Sequence, residues 1–336
     1  MKKSIKKSIL LLFVLGLIFA LAACGSQKTV DEKEIVDPEP VEEAAYIDSI
    51  EIAEVMIEDE AVALADAPAA MYIPTTTASG IKALKAGGAV IDYSNATDGY
   101  VMVRFENKID KKLKVQIKGP TTTYTYNIVP QEWESFPLSD GNGSYKVTVY
   151  KNVSGSSYSN VCSTTISVAL KDEFAPFTHS NQYVDYDNAP ASRAKAEELL
   201  ANETDDLKKI GIVYDYVVKN FTYDKEKAKT VQSGYLPVID NVLNAKKGIC
   251  FDYAAIMTGM LRSQGVPCKL VVGYAGTAYH AWISVYSDGG WINNAITFDG
   301  TTWHRMDPTF ASSSKQSASI MKYIGDGNNY SAKYFY

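Results

Sequence analysis

Lys247-Gly248-Ile249-Cys250-Phe251-Asp252-Tyr253-Ala254 sets a cysteine at the mouth of a segment with helical periodicity. Gly248 lets the chain turn tightly, and Ala254, Met257 and Leu261 then share one face. The pattern predicts a helix from near Cys250 to Gln264, stopped by Gly265-Val266-Pro267. At a helix start, unpaired N–H groups and the positive end of the dipole favour thiolate over thiol. The same groups offer donors to an oxyanion, the amide of Cys250 first among them. A buried structural cysteine is the competing reading, because inert cysteines are common in cores.

Two downstream stretches bear on that choice. In Ala278-Tyr279-His280-Ala281-Trp282-Ile283-Ser284-Val285, alternation puts Ala281, Ile283 and Val285 on a core face. His280, Trp282 and Ser284 share the other face, and a histidine beside a tryptophan suits a partly dry cleft. Asp307, in Trp303-His304-Arg305-Met306-Asp307-Pro308-Thr309, stands at a strand end, since Pro308 cannot continue a ladder. Its carboxylate can accept from one imidazole nitrogen, fix the tautomer and leave the other nitrogen for a thiol. A turn-forming Asp before proline is the bland alternative. In a regular strand His304 faces away from Asp307, which disfavours His304 as the base.

The motif Gly-x-Cys-x-Asp-Tyr-Ala at 248–254, followed by His280 and Asp307 in that order, resembles the transglutaminase-like superfamily of papain-related cysteine enzymes. The similarity is specific over roughly Val242 to Phe310. It includes Gly265-Val266-Pro267, Val272-Gly273-Tyr274, His280-Ala281-Trp282 and Asp307-Pro308-Thr309. A weaker likeness reaches back through Tyr214–Val217 and Tyr223-Asp224 to about Ala191. The resemblance implies Cys250 as nucleophile, His280 as general base and Asp307 as orienting group. Cys268 departs from the small residue usual before that strand. No side-chain oxyanion donor is legible, with Tyr223, Gln232 and Tyr235 as guesses.

Working outward, Ala191–Leu200 and Asp205–Phe221 carry helical spacing, the second through Leu207, Ile210, Tyr214, Val217 and Phe221. Strands are expected at Cys268–Tyr274, His280–Tyr286 and Trp303–Asp307. Helices followed by an antiparallel sheet make residues 173–336 an α+β, transglutaminase-like (papain-like) domain, expected to fold alone. Residues 79–172 instead alternate with period two. Leu113, Val115 and Ile117 interleave with lysines, and Tyr145, Val147 and Val149 follow the turn at Asp140–Gly143. Further runs sit at Val90–Tyr93, Tyr100–Phe105, Thr123–Ile128 and Thr165–Leu170. About seven short strands predict an all-β, sandwich-like domain. It lacks histidine, and its single cysteine, Cys162, reads as a small apolar core residue.

Residues 24–78 read as an acidic, disordered tether, with Asp31–Glu34 and Asp37–Glu43 too polar to offset ordering entropy. Before it, Lys2, Lys3, Lys6 and Lys7 precede an apolar run from Ile9 to Ala20 that is too short to span a bilayer. The run ends in Leu21-Ala22-Ala23-Cys24-Gly25, which resembles a bacterial lipobox. That resemblance implies a signal peptide at 1–23, removed before Cys24, and lipidation (diacylglyceryl, palmitate) of the Cys24 thiol. A retained short anchor is the alternative. The expected location is the extracytoplasmic face of the cell membrane, held by lipid.

The formal net charge is −6, and the mature chain without those lysines is more acidic still. With no basic cluster interleaved with aromatics, nucleic acid is not an expected partner. Cys162, Cys250 and Cys268 remain after lipidation, an odd number that leaves at least one free thiol, and a chain of this size can build a core without a disulfide framework. The histidines His179, His280 and His304 are scattered, so neither a metal site nor a cofactor is expected. The expected partner is a protein or peptide substrate at the cell wall. The reaction class is acyl transfer at a glutamine or peptide amide through a Cys250 thioester, as transglutaminase, deamidase or cysteine peptidase. The rival is a non-catalytic surface binding or envelope scaffold protein that keeps the fold.

Overall fold

The computed structural model describes residues 29–31, 75–286, 292–293, 296–297, 303–313 and 328–336. The signal segment, Cys24 and nearly all of the tether lie outside them. One piece of the tether span, β1 (Thr29–Asp31), pairs antiparallel with Ser157–Ser159. Among the described residues no helix is long and apolar enough to cross a membrane.

The β-region holds β2 (Ala83–Ala86), β3 (Ala89–Asp92), β4 (Tyr100–Phe105), β5 (Leu113–Lys118), β6 (Thr123–Ile128), β7 (Glu134–Pro137), β8 (Gly143–Ser154) and β9 (Ser157–Val168). They form two antiparallel sheets, ordered β1-β9-β8-β5-β6 and β2-β3-β4-β7. Alternation works as expected in β5, where Leu113, Val115 and Ile117 are buried. Lys114, expected outside, is covered instead, with its ammonium 5.6 Å from the Tyr158 ring centroid. Val101 and Val103 of one sheet and Val115 and Val147 of the other share a core.

The following span is mixed α/β. Its helices are α1 (Pro190–Leu200), α2 (Asp206–Asn220), α3 (Lys225–Thr230), α4 (Ile239–Ala245), α5 (Cys250–Ser263) and α6 (Pro308–Ser313). Its strands are β10 (Thr222–Tyr223), β11 (Lys247–Gly248), β12 (Cys268–Ala275), β13 (Ala278–Tyr286), β14 (Ile292–Asn293), β15 (Ile296–Thr297), β16 (Trp303–Met306) and β17 (Tyr330–Phe335). An antiparallel sheet runs β16-β13-β12-β17. Helix α5 packs on β12 and β13 and is flanked by α1, α2, α4 and α6. A helix surrounded on all sides must be apolar around its whole circumference, and Tyr253 to Leu261 are all buried. At its end the fully buried Arg262 donates to the main-chain oxygens of Cys268, His179 and Tyr336 at 2.8, 2.7 and 2.6 Å.

Strand β17 carries no counterpart in the sequence reading, and it changes how the two regions relate. Gly273 admits it: a Cβ there would lie 2.1 Å from the Ser331 carbonyl oxygen. Beyond β17, Tyr336 is buried among Tyr183, Tyr124 and Tyr126, with ring centroids 4.4, 5.7 and 6.0 Å away. Tyr124 and Tyr126 belong to β6, so an aromatic seam joins the β-region to the C-terminal sheet. Cutting the chain near residue 173 would expose that seam.

His179 sits at the same junction, 7% exposed, its ring 4.9 Å from that of Tyr100. Neither ring nitrogen has a hydrogen-bond partner among the described residues. Burial, aided by the Lys171 and Arg262 charges and opposed by Asp98 and Asp172, pushes its pKa down to about 4. Because the unfolded chain binds this proton near pH 6.5, stability falls as pH drops from 6.5 toward 4. The loss is about 3 kcal/mol. His179→Phe keeps the ring and removes the titration. Urea unfolding at pH 7 and pH 4 should show that acid-dependent loss shrinking by about this amount in the variant. An equal loss in both proteins would refute the assignment.

Candidate active site

Cys250 is the first residue of α5 and is fully buried. The parallel pair β10–β11 delivers the chain to it, with Tyr223 beside Gly248. Asp252, in the first turn of α5, accepts from the Ile249 backbone N–H at 2.8 Å and so caps the helix. Gly248 was expected to permit a tight turn, but its backbone is not in the left-handed region. Its requirement is steric: a Cβ would lie 2.5 Å from the Asp252 Cβ. The Gly-x-Cys-x-Asp spacing is thus one device, in which glycine makes room for the carboxylate that caps the helix bearing the thiol.

His280, in β13, is buried, and its Nε2 lies 2.6 Å from Asp307 Oδ2. Asp307 follows β16 directly and has no exposure. Its Oδ2 also accepts from the Tyr330 hydroxyl of β17 at 2.7 Å. The Cys250 sulfur stands close enough to the His280 ring to act on its charge. Burial opposes a charged imidazole, yet the Asp307 carboxylate and the Cys250 sulfur outweigh it and hold the His280 pKa well above its ordinary value. Trp282 stacks beside the imidazole, centroids 6.2 Å apart at 25°, and meets Tyr330 edge-on at 5.0 Å.

The structure therefore brings Cys250, His280 and Asp307 together. The side chain of His304 lies outside the described residues, as does the lipidation residue Cys24. Cys162 and Cys268 are also buried; burial raises both thiol pKa values, that of Cys268 up to about 11. Of the guessed oxyanion donors, Tyr235 is already committed, since its hydroxyl donates to Asp252 Oδ1 at 2.5 Å. Gln232 lies on the wall of a cavity that reaches His280 and donates to the Thr230 carbonyl at 2.8 Å. Tyr183, Tyr235, Phe251, Tyr279 and Tyr336 line the same cavity, and Asn127 of β6 contributes from the β-region. Sequence reasoning missed Tyr330 and, apart from Gln232 and Tyr235, the cavity wall, because both depend on how distant segments pair.

Residues 193–308 match the model of the transglutaminase-like superfamily. This transglutaminase-like span contains Cys250, His280 and Asp307. The chain is 27% identical over 169 residues to the uncharacterized protein YebA of Bacillus subtilis, covering 44% of this chain and 22% of that protein. It is 28% identical over 116 residues to the kyphoscoliosis peptidase of Mus musculus, covering 34% and 17%. The chain thus aligns with about a fifth of the length of these curated relatives. A crystal structure of a candidate cysteine protease from Cytophaga hutchinsonii aligns over 70% of this chain and 83% of that one, at 15% identity and a TM-score of 0.38.

Proposed function

We propose that this chain is a cysteine-dependent acyltransferase or peptidase acting on glutamine or peptide amides through a thioester on Cys250. The observation that carries the reading is the buried arrangement of the Cys250 thiol, the His280 ring and the Asp307 carboxylate. In a dry site a thiolate and an imidazolium stabilise each other, and Asp307 favours the protonated ring.

Cys250 Sγ, as thiolate, attacks the amide carbonyl carbon. The backbone N–H of Cys250, at the first position of α5, is placed to meet the oxyanion that forms. His280 passes its proton to the leaving nitrogen, the C–N bond breaks, and ammonia or an amine departs from a thioester. Water or a primary amine then attacks the thioester while His280 takes its proton. The sulfur leaves as thiolate and the starting pair is restored. With water the net result is deamidation or proteolysis, and with an amine it is a cross-link.

Location is part of the same proposal: an exported protein held at the outer face of the membrane by lipid on Cys24. It rests on the Lys2–Lys7 charges, the apolar run and Leu21–Gly25. Fatty-acid labelling in the native host should be lost in Cys24→Ser, and labelling that survives contradicts it.

The chemical reading is checked by ammonia release from a glutamine peptide, and by peptide cleavage, with and without an added primary amine. Cys250→Ala and His280→Ala should each fall to near background. Asp307→Asn should lose less or as much, with an upper bound on the order of 10⁴ set by the analogous change in a serine triad. The Cys250→Ala/His280→Ala double variant should be no worse than either single one, because the two act as a unit. Turnover that survives Cys250→Ala would end the proposal.

A further inference from the structure

Asp252 poses an electrostatic problem for the nucleophile two residues before it. It is fully buried, and its carboxylate belongs to the first turn of α5, the turn that Cys250 opens. A like charge in the same buried helical turn disfavours a second anion and works against the helix dipole. Yet the cap needs an acceptor there, since Asp252 Oδ2 holds the Ile249 N–H.

Lys227 of α3 answers this charge. Its ammonium lies 2.6 Å from Asp252 Oδ2 and 2.6 Å from the Tyr235 hydroxyl oxygen, with the Tyr235 ring centroid 4.2 Å away. Tyr235 closes the triangle by donating to Asp252 Oδ1. It also meets the Phe251 ring edge-on, 6.4 Å between centroids. The placement of Lys227 is itself supported: Asp224 caps α3 by accepting from the Lys227 backbone N–H at 3.0 Å.

Other charges near α5 are occupied elsewhere. Lys247 of β11 pairs with Asp224 at 3.1 Å. Asp240 of α4 accepts from the backbone N–H groups of Ala191 and Ser192 in α1, and Arg193 of α1 donates to the Tyr186 and Asp187 carbonyls. Lys269 of β12 stands over the Phe177 ring, and Arg262 lies at the far end of α5. His280 and Asp307 face Cys250 from the sheet, and Tyr214 of α2 lies close enough to feel the Asp307 charge.

We propose that Lys227 is a positioning residue for the nucleophile: it neutralises the Asp252 carboxylate, so that Asp252 can cap the Cys250 helix without opposing the thiolate. The inference rests on the catalytic reading of Cys250 but not on turnover, so the two can fail separately. A merely structural lysine would hold the α3 segment in place and leave the ionisation of Cys250 unchanged.

The test is the rate of iodoacetamide alkylation of Cys250 against pH, followed by peptide mass spectrometry on the full chain. Altered access to the buried thiol scales the rate equally at every pH, whereas altered ionisation moves the midpoint. Lys227→Met should raise the midpoint by roughly one pH unit, the scale of a neighbouring charge discounted for the partial exposure of Lys227. Lys227→Arg should keep the wild-type midpoint. The double variant Lys227→Met/Asp252→Asn, which removes both charges, should return the midpoint toward wild type. An unmoved midpoint in Lys227→Met, or a double variant as shifted as the single one, overturns the inference. Both results leave the catalytic reading standing. A wild-type Cys250 that titrates as an ordinary thiol and ignores His280→Ala would instead sink that reading, and this inference with it.

Discussion

A carboxylate with no exposure to water must find donors inside the protein, because an unpaired buried charge costs several kcal/mol. Asp307 finds two: the His280 ring at 2.6 Å and the Tyr330 hydroxyl at 2.7 Å. Meeting that demand draws three strands to one point. Strand β16 brings Asp307, β13 brings His280 and β17 brings Tyr330. The ring so held stands close enough to feel the Cys250 sulfur on α5, which packs against the same sheet. Each partner constrains a different torsion of the ring or carboxylate. The imidazole is therefore held in orientation and tautomer before any substrate arrives.

A second buried carboxylate performs the matching task on the helix side. Asp252 fixes the first turn of α5 through the Ile249 N–H, and Gly248 exists as glycine because that carboxylate occupies the space of a Cβ. Lys227 and Tyr235 supply its remaining partners. The site thus contains two anions, each answered locally: Asp307 by an imidazole and a phenol, Asp252 by an ammonium and a phenol. Tyr235 ties the helix-side network to the cavity wall, since the same side chain lines the space beside His280. Loop geometry and nucleophile geometry are mechanically joined through one hydroxyl.

Local periodicity was enough to place α1, α2 and α5 and the strands β12, β13 and β16, because each carries its apolar face within one segment. Cys250, His280 and Asp307 were legible for the same reason, as a helix start, an alternating strand and a strand end before proline. What escaped was either too short or too distant. Helix α3 spans Lys225–Thr230 and buries no residue, so it has no apolar stripe to read. Strand β17 does alternate, at Tyr330, Ala332 and Tyr334, but its pairing with β12 depends on the space left by Gly273, some sixty residues earlier. The role of Asp252 was hidden for another reason: a capping acid and a charge partner look identical until Lys227 is found beside it.

The account stands on Cys250 and His280 being a charged pair sustained by Asp307. The most direct measurement is the far-ultraviolet absorbance of thiolate against pH, taken as the difference between the full chain and its Cys250→Ala variant. The pair predicts thiolate at pH values well below the ordinary cysteine pKa of about 8.5. His280→Ala should abolish that early transition, and Asp307→Asn should narrow the pH range over which the pair persists. Thiolate that appears only near the ordinary value, indifferent to His280→Ala, would contradict the account.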